Sequence, residues 1–324
     1  MTSTPTATAA PPTAVFDARQ AAVLLYGSTP SKRFKRWKFR LRSLWFWRVQ
    51  RAWHAMLATP ALLPFVQQVP SLLEKLHRPY LHRHKSVRQR LDVLCAHYSW
   101  LAAPHRQALR GALLREPMAS AIVLAHWQLE DEDLKLVLGI DPVFNREGEL
   151  VISLLNRDQR RIGSIALVRG ENDTFWIGSL QGLIGDDARD RYRELTRALH
   201  GLRPKNLLLI AAQTLARASG AKALIGIGND AHVYSATRYR NLQRVQADYD
   251  EFWRECEGSA RDDGSFGLPM RYVIPPREEL PTKKRAMYER RRALLVELQS
   301  QMTATLSSLG LSEPLDSDGQ ESTR

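Results

Sequence analysis

At Leu134 the hydrophobic period of this 324-residue chain changes. Before it, apolar residues recur every three or four positions, the spacing of a helical stripe. After it come short runs rich in β-branched and aromatic residues: Lys135-Leu-Val-Leu, Leu150-Val-Ile-Ser-Leu-Leu, Ile162-Gly-Ser-Ile-Ala-Leu-Val and Thr174-Phe-Trp-Ile-Gly-Ser-Leu-Gln. Asn145-Arg-Glu-Gly, Asn156-Arg-Asp and Gly170-Glu-Asn-Asp supply turn chemistry between them, so these runs predict an antiparallel meander. A helix over 186–199 follows, then Pro204 at the first turn of a helix over 205–219 closed by Gly220, then a strand over 221–228. Strand, helix, strand in that order predicts a crossover joining parallel neighbours. A helix over 236–256, a strand over 270–274 and a charged helix over 282–305 complete the pattern. In front, helices are expected over 31–57, 71–100, 105–115 and 118–128. The fold class is α+β. Its expected parts are a largely disordered tail (1–30), a basic helical module (31–133), a mixed, mostly antiparallel sheet flanked by helices (134–305), and a flexible tail (306–324).

Charge divides the chain in the same way. The net charge is +13, yet residues 1–110 hold eighteen Lys and Arg against Asp17, Glu74 and Asp92, which is more than the whole excess. Seven of the nine His also precede residue 127, which predicts a front that gains charge in mild acid. Such asymmetry points to a polyanionic neighbour. Within 31–57 nine cations occur with no acid, and Phe34, Trp37, Leu41, Leu44, Trp45, Val49, Ala52, Trp53 and Met56 form one helical stripe. Lys32, Arg33, Lys35, Arg36, Trp37, Lys38, Arg40 and Arg42 are the expected contacts to a membrane or another polyanion. Three readings stay open: an anionic membrane surface, nucleic acid, or burial of the stripe in the module's own core. The two cysteines, Cys95 and Cys256, lie far apart with no zinc-like spacing, so neither a disulfide framework nor a structural metal is expected. No signal peptide and no spanning apolar run occur, which predicts a protein kept in the cytoplasm.

Polar residues gather at three joints of the rear part: Gln181-Gly, His200-Gly-Leu-Arg-Pro-Lys and Gly228-Asn-Asp-Ala-His-Val-Tyr. If the strands they end are parallel neighbours, the joints converge on one sheet edge, where ligands of such folds bind. Gly201, Arg203 and Lys205 combine backbone N–H groups, cations and a helix start, which suits a phosphate; the alternative is a plain turn with solvated cations. Asn229 or Asp230 would orient an amine or water, and His232 and Tyr234 would exchange protons; the alternative is helix capping and packing.

Six separated segments resemble the VirK/YbjX family of proteobacterial proteins: 149–155, 177–182, 200–205, 229–234, 248–253 and 284–291. The resemblance implies a bacterial protein of a domain family without assigned function, associated in enteric relatives with virulence and envelope resistance. The order of elements further resembles the acyl-CoA N-acyltransferase (GNAT) fold, although Gln181-Gly-Leu-Ile-Gly departs from its usual glycine spacing and an extra helix intervenes. That resemblance implies an acyl-CoA or acyl carrier protein as donor, its phosphates held by Gln181, Gly201, Arg203 and Lys205. Asn229 would then lie near the thioester and Tyr234 would protonate the leaving thiolate. The expected function is an acyltransferase-like enzyme at the cytoplasmic membrane face. The alternatives are a non-catalytic envelope-stress or virulence-associated adaptor, and a nucleic-acid binder through the basic front.

Overall fold

The computed structural model describes residues 16–115, 122–129, 132–183, 185, 188–239 and 248–312. They form two compact units that divide between Arg78 and Pro79.

The first unit is helical, with α1 (Ala18–Tyr26), α2 (Arg33–Trp45), α3 (Trp47–Leu57), α4 (Leu63–Gln68) and a 3-10 segment over Pro70–His77. Helix α1 lies where the composition predicts a tail. Asp17 and Gln20 close a reciprocal capping box at its start, and Ala21 and Ala22 are buried. The helix expected over 31–57 breaks at Phe46, and the stripe read from its apolar residues is not the buried one. The buried positions are Phe39, Ser43, Gln50, Trp53, His54 and Leu57, so of the predicted stripe only Trp53 is in the core. The polar members are held by backbone that hydrophobicity does not reveal: Gln50 donates to the Leu73 carbonyl (2.7 Å) and the Trp53 indole to that of Leu72 (2.8 Å). The Tyr26 hydroxyl donates to Glu74 across the same unit (2.7 Å).

The second unit begins with α5 (Val87–Ala102) and α6 (Gln107–Leu113) and continues into strands β1 (Ile122–Gln128), β2 (Asp133–Gly139), β3 (Leu150–Leu155), β4 (Arg161–Arg169) and β5 (Thr174–Gln181). Helices α7 (Ala188–Ala198) and α8 (Pro204–Ala218) lead to β6 (Ala223–Ile227), followed by α9 (Tyr249–Glu255), β7 (Ser259–Ala260), β8 (Ser265–Leu268) and α10 (Thr282–Ser308). The eight strands form one sheet in the order β1-β2-β3-β4-β5-β6-β8-β7, in which β5 and β6 are parallel and the other neighbours antiparallel. The crossover therefore falls where the sequence predicts it.

Four local expectations fail for tertiary reasons. Residues 122–128 are strand rather than helix; β1 pairs with β2, and a register shift between Val123 and Ala125 hides the alternation that would have revealed it. The helix over 71–100 is interrupted, since a second capping box at Ser86 and Gln89 starts α5 only at Val87. Residues 270–274 form no strand; at the start of this segment side chains of α8 bond the backbone, Gln213 donating to the Pro269 carbonyl and Arg217 to that of Met270. The expected tail from 306 includes buried Leu306 and Leu311. Of the helix over 236–256, residues 240–247 lie outside the described residues and α9 forms the rest.

Helix α8 covers one face of the sheet, where a Cβ at Gly163 would come within 3.0 Å of Leu208. On the opposite face Phe144 packs with Val151 and Ala166; the α5 residue Trp100 meets Phe175 edge-on.

Burial lowers the pKa of His54 in the first unit and of His82 in the second, so neither supplies the expected extra charge in mild acid. The unfolded chain protonates these imidazoles first, so stability is complete above the ordinary histidine range and falls as pH drops through about 6.5. Thermal unfolding of the full chain between pH 8 and 5 is expected to show this loss. Replacing His54→Gln is expected to flatten it, and an unchanged profile would refute the assignment.

Candidate functional site

Strands β5 and β6 run parallel, so their carboxyl ends meet the same edge of the sheet. Their pairing stops at Ile177 and Gly226. Beyond it, Ser179 to Gln181 pair with β4 alone, Gly178 is the extra residue at a register shift, and against Gly178 comes the turn that precedes β3. A Cβ at Gly178 would lie 1.7 Å from the Glu147 carbonyl oxygen, so only glycine admits this approach. A Cβ at Gly148 would come within 2.6 Å of the Leu167 backbone nitrogen on β4.

The turn carries charge into the interior. Arg146, Glu147 and Glu149 are all buried. Glu149 accepts hydrogen bonds from the hydroxyls of Tyr80 (2.6 Å) and Tyr98 (2.7 Å), and burial together with this carboxylate holds both phenols well above their usual range. Glu147, 1% exposed, places Oε1 3.3 Å from Nε2 of His232, with the Gln181 amide 3.5 Å away. The His232 Nδ1 accepts from the backbone N–H of Tyr234 (3.3 Å), which leaves the proton of the neutral ring on Nε2, facing the carboxylate. That contact is out of line for a full hydrogen bond, so its attraction is mainly electrostatic. The imidazole stacks on Tyr249 (5.3 Å, 12° between planes) and lies beside Tyr234. Burial, reinforced by Glu147, pushes the Tyr249 hydroxyl up, while the Leu180 backbone opposes it.

His232 is positioned by strand-like contacts from the start of this unit. His82 bridges it, Arg83 donates its N–H to the Ala231 carbonyl, and the Arg83 side chain pairs with Asp230 at 2.9 Å. On the other side of Gln181, the Tyr192 hydroxyl lies over Gly182, where a Cβ would come within 2.7 Å of it. Burial pushes that phenol up to about 12, against the opposing charge of Arg203. Burial also pulls the Arg90 guanidinium below its ordinary range, with Tyr239 and Arg146 near enough to act on it in opposite senses.

The structure therefore brings Gln181, His232 and Tyr234 to one edge and adds Glu147, Tyr249 and Tyr192, which the sequence did not single out. Asn229 is committed elsewhere: its amide donates to Asp248 (2.8 Å) and its carbonyl accepts from the N–H of Tyr249 (2.8 Å), clamping the start of α9. At the phosphate-suited segment, Gly201 is left-handed (φ 78°) and gives its N–H to the Thr196 carbonyl, closing α7. Its Cα hydrogens face Met287 and Arg291 of α10, and Arg291 donates to the His200 carbonyl. Arg203 pairs with Glu255, and both it and Lys205 lie over the Phe252 ring. Burial, with Arg203 adding repulsion, lowers the Lys205 pKa. No group of three metal-ligating side chains occurs among the described residues.

Residues 28–304 match a family described as a protein of unknown function, DUF535. The chain belongs to this family. Within it, the chain is 31% identical over 276 residues to the uncharacterized protein YbjX of Escherichia coli K12, covering 84% of this chain and 83% of that one. It is 30% identical over 167 residues to an uncharacterized protein of Haemophilus influenzae, covering 52% and 56%. It is 24% identical over 210 residues to a protein of Mannheimia haemolytica named membrane protein LapB, covering 64% and 89%. Membership of the VirK/YbjX family is thus shown, and it brings no assigned activity.

Two glycine substitutions separate the close approach from ordinary helix effects. Gly178→Ala forces backbone against backbone and is expected to cost about 3 kcal/mol or more in denaturant unfolding. Gly111→Ala in α6, with nothing within 4 Å, is expected to be neutral or stabilising by up to about 1 kcal/mol. Equal midpoints for both variants would contradict the geometry.

Proposed function

We propose that the second unit is an acyltransferase-like enzyme working at the cytoplasmic membrane face, with acyl-CoA or acyl carrier protein as donor and an amine as acceptor. The observation that carries this reading is the buried Glu147–His232 contact beside the carboxyl end of the parallel pair, whose pairing stops at Ile177 and Gly226. A meander followed by strand, helix and a parallel strand is the order of elements on which the GNAT resemblance rests. The name of the Mannheimia haemolytica relative supports the membrane face.

In this reading the acceptor amine attacks the thioester carbonyl carbon. The new C–N bond forms as the C–S bond breaks, the amine proton passes to the Glu147–His232 pair, and the leaving sulfur takes a proton from Tyr234. Arg203 and Lys205 would face the donor's phosphates only by giving up Glu255 and the Phe252 ring.

One observation favours the non-catalytic adaptor instead: Asn229 and the Nδ1 of His232 are committed to hydrogen bonds within the fold. Thermal-shift measurements with acyl-CoAs and acyl carrier proteins, followed by thiol-release assays with an amine panel, separate the two. The enzyme reading expects a saturable shift from one donor class, and Glu147→Gln is expected to keep that shift while losing thiol release. Absence of both shift and release across the panel would favour the adaptor.

A further inference from the structure

The exposed apolar residues of the chain are not scattered. Among the described residues, eight of the twelve large hydrophobic side chains most open to water fall between Val23 and Trp47; the other four are isolated valines. Single exposed apolar residues need no explanation, but a contiguous set does. On α2 the set is Phe34, Trp37, Leu41, Leu44 and Trp45, with Phe34 68%, Leu44 70% and Trp45 83% exposed. At helical spacing these five occupy one arc of roughly 100°. Arg33 and Arg40 border one side of the arc, and Lys38 and Arg42 the other. The back of the helix, Phe39 and Ser43, is buried in the unit. Helix α2 is thus held by its rear with its apolar front in water, and the sequence alternative in which this front packs into the module's own core does not hold.

We propose that this front is a docking face for an anionic lipid bilayer, with Trp37, Leu41, Leu44 and Trp45 entering the headgroup–acyl boundary and the bordering cations meeting lipid phosphates. Two features select lipid over nucleic acid. Leucine has no π face on which a base can stack, and gains only by leaving water for hydrocarbon. The cations stand in two rows on either side of the apolar arc, as an interfacial helix requires, rather than along a groove that would follow one strand. Charge within the unit leaves this field in place. Its acids are Asp17, committed to the α1 cap, and Glu74, bonded by Tyr26 and paired with Arg78. Not every expected contact is free to join: Arg36 donates to the Gly27 and Thr29 carbonyls and serves as a tether.

The proposal deepens the membrane-face part of the reading above and rests on it, but is independent of the chemistry, so its test contains no acyl donor. The full-length chain is sedimented with vesicles of phosphatidylcholine alone and of phosphatidylcholine mixed equally with phosphatidylglycerol. Binding is expected to the mixed vesicles only, to weaken as salt rises, and to shift tryptophan emission to the blue. The variant carrying Trp37→Ser, Leu41→Ser and Leu44→Ser is expected to lose roughly tenfold or more of that binding. Its thermal midpoint should fall only slightly, because Leu44 is 70% exposed and Trp37 and Leu41 are 55% and 51% exposed. Lys38→Glu with Arg40→Glu should weaken binding without removing the blue shift of whatever remains bound. Undiminished vesicle binding by the triple variant would overturn the proposal. So would salt-sensitive binding to single-stranded DNA or RNA without vesicle binding, which would assign the face to nucleic acid.

Discussion

A peptide carbonyl pressed against a residue without a side chain fixes the centre of the second unit. Glu147 can enter the interior only because Gly178 leaves room for its backbone, and Gly148 repeats the device one residue later against β4. Once the backbone is there, its charged side chains cannot stay unpartnered, since an isolated buried carboxylate is far costlier than a paired one. Glu149 takes two tyrosine hydroxyls, and Glu147 takes the imidazole of His232 and the Gln181 amide. These partners come from the loop before α5, from α5 itself, from β5 and from the joint after β6. One turn therefore ties together segments that lie far apart in the sequence.

Most of the sheet is legible in the sequence. β2 to β6 fall on the runs where branched and aromatic residues collect between turn signals, and the crossover follows from their order. Strand β1 was not legible because its register shift breaks the alternation on which such a reading depends. The buried turn was not legible for a different reason. Asn145-Arg-Glu-Gly has the composition of a solvated connection, and what makes it a core element is the pair of glycines opposite and within it. A run of three charges in four positions, 146, 147 and 149, just ahead of a wholly buried strand was the one hint available.

The candidate site shows the same division. Gln181, His232 and Tyr234 could be grouped because they end parallel strands, and that follows from topology alone. Glu147 could not, since its place there depends on a contact across the sheet. In the first unit the difficulty is of another kind: the sequence leaves open whether the most hydrophobic stripe meets a membrane, nucleic acid or the module's own core. The fold buries Ser43, Gln50 and His54 beside Phe39 and Trp53, and leaves the more apolar arc outside. Hydrophobicity measures what a side chain gains by leaving water, and is silent about whether protein or some other phase receives it.

Asn229 illustrates how architecture can imitate catalysis. Its amide nitrogen serves Asp248, its oxygen serves the first N–H of α9, and its own backbone N–H serves Asp250. Aspartate could not donate to Asp248 and would add a third carboxylate to two already present; glutamine would set the amide one carbon too far out. Only asparagine satisfies the joint, so replacing it would unfasten the start of α9 whether or not any reaction took place there. A polar residue at the mouth of a sheet is thus weak evidence of chemistry until its hydrogen bonds have been counted.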